Sequence, residues 1–200
     1  MLFASRGVLS SLFTRLSRTL NFELRQEIYC RSIRYFLYIC CTMLKVDVVL
    51  LGKTTLPYIE EGLKDYASRL VHYCKFELRV LPPVRNAASL STEELVKREG
   101  IQFMEVLKGY DRVVLLDEHG KEYTSRAFAT LVNNFTLQGA SRIAFVIGGA
   151  YGFSDDVRKA FPNQLSLSQL TFSHQIVRLI FLEQLYRIFT ILRGEPYHHD

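Results

Sequence analysis

From Met43 onward, short apolar runs alternate with longer stretches in which apolar residues recur every three or four positions. KVDVVLL at Lys45–Leu51 is β-branched and apolar throughout, the pattern of a buried strand. Residues 57–71 follow as a helix, with Pro57 suited to its first turn and Ile59, Leu63, Tyr66, Ala67 and Leu70 on one face. Residues 76–81 alternate like a strand and stop at Pro82-Pro83. Ser91 opens a second helix, with Glu93 and Glu94 in the first turn, where negative charge meets the positive end of the helix dipole. That helix runs to about Lys108 and ends at Gly109. A strand over 112–116, a turn over 117–120, a helix over 125–138 and a strand at Arg142–Ile147 complete the middle of the domain. Then come the glycine-rich stretch 148–152, a short helix over 154–160, a short strand over 165–167 and a long helix to Leu192 for which Ser173 is the expected cap.

Strands separated by helices of this length predict an α/β domain with a mostly parallel sheet covered on both faces. Ligands of such sheets bind in loops beyond the carboxyl ends of the strands. Here those loops are 117–120, 148–152 and 168–173. The last helix is apolar around almost its whole circumference, interrupted only by Arg178, Glu183, Gln184, Arg187 and Thr190. It needs cover on more than one side, and a second copy of the chain supplies that most simply, so a homodimer through this helix is expected. The alternative is a helix wrapped entirely by its own domain.

Composition sharpens this picture at one point, the first fifth of the chain. Residues 1–42 carry six arginines against Glu23 and Glu27, a net +4 of the overall +5, so 43–200 is nearly neutral. Residues 1–20 hold three arginines, four serines and no acid, the composition of an organelle transit peptide. The other reading is a non-native extension, since Met43 stands directly before the first strand. The domain division is therefore 1–42, a basic extension, and 43–200, the folded unit. With 48% apolar residues the chain can bury a core, which excludes global disorder. The longest apolar run, 36–44, falls well short of the roughly 20 residues of a membrane helix. No Cys-x-x-Cys pair occurs among the four cysteines, so no zinc site is expected, and reduced thiols in the cytoplasm are the reading of the rest.

Three apparent motifs do not hold. Gly52-Lys53-Thr54 resembles the end of a phosphate-binding loop, but the glycine required five residues earlier is Asp47. Gly148-Gly149-x-x-Gly152 has the wrong spacing for a dinucleotide fingerprint and follows the fourth strand. His198-His199-Asp200 is a terminal cluster, a poor metal site. On their own physics, Gly148 and Gly149 let backbone amides approach a ligand, and LSLSQLTF at 165–172 offers backbone donors and leucines to hold a flat ring.

Taken together, LLDxxG at 115–120, FVIGGAYG at 145–152, LSLS at 165–168, His174-Gln175, LEQLYR at 182–187 and ILRGEPYHH at 191–199 resemble one family, the RlmH (YbeA-type) SPOUT methyltransferases. The resemblance runs from about Met43 to His199, in order and at family spacing. One departure is Ser173, where the family usually has proline. The resemblance implies a SPOUT fold with a C-terminal trefoil knot. It implies S-adenosylmethionine-dependent methylation of N3 of a pseudouridine in 23S ribosomal RNA, on assembled ribosomes. Carried over by motif position, the cofactor contacts are Leu116, Gly148, Leu167, Ser168, Gln169, Leu170, Thr171 and Phe172. His198, His199 and Glu195 are the candidates for the base that removes the N3 proton, ahead of His174, and Arg178, Arg187 and Arg193 those for RNA contacts. No metal is expected. Two other readings stand beside it: a ribosome-binding module of the same fold without catalysis, and a SPOUT methyltransferase with another RNA target.

Overall fold

A computed structural model of the chain describes residues 44–197. Five strands, β1 (Lys45–Leu51), β2 (Lys75–Leu81), β3 (Arg112–Glu122), β4 (Arg142–Ile147) and β5 (Gln164–Ser166), form one sheet in the order β2-β1-β4-β3-β5. Every pairing is parallel. Among the described residues five α-helices connect and cover them, α1 (Pro57–Leu70), α2 (Thr92–Val106), α3 (Ser125–Leu137), α4 (Asp155–Ala160) and α5 (Ile176–Arg193), with a 3₁₀ turn at Ala87–Ser89. β4 carries Phe145, Val146 and Ile147 at the centre of the sheet, all at or near zero exposure, as expected for a strand covered on both faces.

The two faces have separate cores. Val46, Val48, Leu50, Phe145 and Ile147 pack with Phe181, Leu182, Leu185 and Phe189 of α5 and with residues of α1 and α3. On the opposite face Val49, Leu51, Val113, Leu115 and Val146 meet Phe103 of α2 and Val157 of α4. The helix starts follow local chemistry. Ser91 and Glu94 close a capping box on α2, and Thr124 and Ser154 accept the N–H groups of Ala127 and Val157.

Two expectations are corrected. The turn expected at 117–120 is part of β3, which continues to Glu122; its pairing with β5 slips there, so that Leu116 and Lys121 both oppose Leu165. Gly120 lies against the β5 backbone at this irregularity, and a Cβ on it would stand 2.6 Å from the Leu165 nitrogen. Ser173 is not the residue flanking the last helix. α5 begins at Ile176 after Gln175, although the Ser173 hydroxyl still accepts the Ile176 N–H at 3.3 Å. Among the described residues no helix is long and apolar enough to cross a membrane.

Candidate active site

The carboxyl ends of β3, β4 and β5 open into one cavity of about 340 Å³. Leu116 closes one wall, and Ile147 with Gly148 and Gly149 forms the floor where β4 ends. The segment after β5 supplies the facing wall, with Leu167, Ser168, Leu170, Thr171 and Phe172. Seven of the eight expected cofactor contacts thus meet around one space. The eighth, Gln169, sits exposed in the same loop outside the wall.

The glycines of the floor are closely packed. A Cβ on Gly148 would lie 3.1 Å from the Gly152 carbonyl oxygen, and one on Gly149 would lie 2.9 Å from a carboxyl oxygen of Glu99. The turn is closed by the Gly152 N–H donating to the Gly149 carbonyl at 3.3 Å, with Gly152 at φ +73°. The opposite loop is stiffened from within. The Ser166 hydroxyl donates to the Ser168 carbonyl at 3.0 Å, and the Ser168 hydroxyl accepts the Leu170 N–H at 3.0 Å. The remaining surface is a mixture of leucine faces and backbone polar groups, which suits a flat heterocycle attached to a polar body.

With Glu118 and Arg158 lining the same cavity, Asp117 is the buried carboxylate of this wall, its side chain 2% exposed. It accepts the Arg158 guanidinium at 2.9 Å and the His119 backbone N–H at 3.0 Å. Burial alone would raise its pKa; the His119 N–H, Arg158 and the His119 ring outweigh burial and hold the carboxyl below its ordinary range. His174 lines the mouth, and partial burial together with the nearby Arg178 charge lowers its pKa, so the imidazole is neutral at pH 7.

Behind the cavity Arg178 is 1% exposed. Its guanidinium donates to the carbonyls of Leu51, Gly52 and His174 at 2.6, 3.0 and 3.0 Å and to the Thr54 hydroxyl at 2.9 Å. It ties the exit of β1 to the start of α5. The expected RNA contact at Arg178 is therefore corrected: every one of these bonds would break before the guanidinium reached a phosphate. Arg187 is paired with Glu183 at 2.6 Å and stacks on Tyr197. Arg193 stacks on Tyr73 at 4.1 Å and donates to the His72 carbonyl. Glu195 accepts the Tyr73 hydroxyl, and burial and this carboxylate push the Tyr73 phenol up. Arg193, Glu195 and Tyr197 all lie at the end of α5 away from the cavity, whose mouth is at His174 and Val177. His198 and His199 lie outside the described residues. Among those described, no group of three potential ligands could hold a metal.

Glu99 and Arg158 were not foreseen. A signal for Glu99 existed: it sits four residues from Leu95 and four from Phe103, on the apolar side of α2. Arg158 left none, because its partner Asp117 is 41 residues away in sequence.

The family described as "Predicted SPOUT methyltransferase" matches residues 44–198. The chain belongs to the SPOUT methyltransferase family. It is 45% identical over 157 residues to the Parabacteroides distasonis protein named "Ribosomal RNA large subunit methyltransferase H", covering 78% of this chain and all of that one. A protein of the same name from Christiangramia forsetii is 44% identical over 154 residues, 77% of this chain and 98% of its own. Among solved structures, the tRNA (m1G37) methyltransferase of Aquifex aeolicus aligns with a TM-score of 0.43 at 17% identity, over 78% of this chain and 75% of that one. The chain is thus a methyltransferase enzyme with an α/β fold built on a parallel sheet, and S-adenosylmethionine is the methyl donor that its family motifs imply.

Proposed function

We propose that this methyltransferase modifies N3 of a pseudouridine in large-subunit ribosomal RNA, with S-adenosylmethionine bound in the cavity between β3, β4 and β5. The carrying observation is that Leu116, Gly148 and the 167–172 loop, separate in sequence, converge on one glycine-floored space. The residues fit the donor: the glycines leave the backbone of the floor bare toward the cavity, and Leu116, Leu167 and Leu170 flank it. When bound, the donor supplies an activated methyl group. The chain's part is alignment, since a displacement gains most from holding its two reactants in line. Leu116 and Leu167 would enclose the heterocycle, the backbone of Gly148 and of the 168–172 loop would hydrogen-bond its edges, and the Asp117–Arg158 ion pair would fix the polar wall beside it.

The base that takes the N3 proton belongs to the tail, in this reading His198 or His199 with Glu195. α5 is 18 residues long, so it separates its own tail from its own cavity by about 27 Å. A second copy packed antiparallel on α5 brings one copy's tail to the other's cavity. Two observations support that pairing: Val177, Leu179, Ile180, Ile191 and Leu192 stay only half-buried within one copy, and the aromatic stack of Tyr73, Tyr186 and Tyr197 holds the start of the tail against α5. Arg187 and Arg193 flank that tail as the RNA contacts. The implied knot, and residues 1–42 as a segment separate from the catalytic unit, belong to the same reading.

Incubating the full chain with the tritiated donor and with intact large ribosomal subunits, then mapping the labelled nucleotide, tests the assignment. Label at N3 of one pseudouridine is the expected result. Label at another base redirects the substrate, and no label in any RNA returns the chain to a binding role.

A further inference from the structure

We infer that Tyr151 is a stacking platform for the target nucleobase, displayed at the mouth of the donor cavity. The inference rests on the methyl-transfer reading and adds a substrate-positioning residue that the motifs do not assign. Large apolar side chains are left 36% or more exposed at ten described positions, and three of these, Tyr151, Leu170 and Phe172, stand on the rim of this one cavity. Tyr151 is 58% exposed and its hydroxyl makes no hydrogen bond among the described residues, so what it offers is the face of its ring.

The backbone beneath it is built to hold that ring out. Gly149 and Gly152 bridge each other across a tight turn, leaving Ala150 and Tyr151 at its tip. The space behind the turn is occupied, since a Cβ on Gly149 would meet Leu51 and the buried Glu99. One Glu99 carboxyl oxygen is buried there without a hydrogen-bond partner, and burial raises the pKa of this group. The cavity, at about 340 Å³, is at the small end of the range for ligand sites and has room for about one nucleoside-sized molecule. The accepting base must then lie across the mouth. A base still stacked in RNA cannot present N3 to a methyl group held at the mouth of a cleft, so it must be turned out and held. An exposed aromatic face beside the mouth holds an unstacked base without needing its sequence.

The chain contains no tryptophan, which makes the test clean. Y151W places a single indole on the rim. Its fluorescence is expected to be quenched by a short uridine-rich single-stranded RNA and not by an equal charge of heparin. In turnover on large subunits, Y151A is expected to lower kcat/KM for RNA about ten- to hundredfold, with donor affinity by calorimetry within twofold of wild type, and Y151F to restore kcat/KM. Three results overturn the platform: an indole indifferent to RNA, Y151A turnover equal to wild type, or an equal loss of donor affinity, which makes Tyr151 a lid on the cofactor. Failure of the wild-type chain to methylate RNA is a separate result that sinks the underlying reading, and the quenching arm still decides the platform in that case.

Discussion

Asp117 shows how one residue can serve both the fold and the chemistry. Its carboxylate is nearly sealed from water, yet it stays charged because Arg158 and the His119 N–H bind the charged form. The unfolded chain therefore binds its proton more tightly than the folded one. The stability this group contributes is complete above the ordinary aspartate pKa of 3.8 and is lost as pH falls through its lower folded value. D117N removes the charge and keeps the shape. It is expected to cost about 2 kcal/mol at pH 7, because Arg158 loses a charged acceptor, and to flatten the acid limb of a urea-melt series. An unchanged acid limb would mean that the ion pair does not govern it. Arg178 teaches the converse about legibility. As an arginine on a helix it reads as a phosphate contact, and only the three-dimensional meeting of Leu51, Gly52 and His174 carbonyls reveals a buried brace.

At the scale of elements, apolar runs, helical periodicity and the proline, serine and glycine signals at element ends placed five strands and five helices, because each signal is local. What stayed hidden was set by pairing at a distance. The 117–120 segment has the composition of a turn, yet its backbone is held in β3 by β5, a strand of only three residues some 45 positions later. Gly120 is the residue that permits the contact. G120A pushes a methyl to 2.6 Å from the Leu165 nitrogen and is expected to cost about 3 kcal/mol. Gly109 provides the comparison. It sits at φ +86° with open space around its Cβ position, so G109A bears only the backbone strain, about 1 kcal/mol. Equal melting temperatures for the two variants would contradict the close approach of β5 to β3.

For the whole molecule, the cavity and the tail stand at opposite ends of α5, and the account needs two copies to join them. The sequence carried part of this, since a helix apolar on all sides asks for two covers; α1, α3 and the sheet supply one of them. Sedimentation at micromolar concentration is expected to give a dimer. Mixing a G148V chain, whose side chain displaces the Gly152 turn of the cavity floor, with a chain ending at residue 194 is expected to restore turnover that neither has alone, because one of the two composite sites in a mixed dimer has an intact cavity and an intact tail. A mixture as inactive as its parts would place cavity and base in the same copy.

The claim beneath all of this is that the glycine-floored space between β3, β4 and β5 holds the methyl donor. Titrating S-adenosylmethionine into the full chain in a calorimeter, beside G148V, whose side chain displaces the Gly152 turn of the floor, asks this directly. The account predicts one site per chain with saturable heat, abolished in G148V while the variant keeps its fold by circular dichroism. Saturable heat of equal size in both proteins would contradict it, and so would the absence of heat in the unaltered chain.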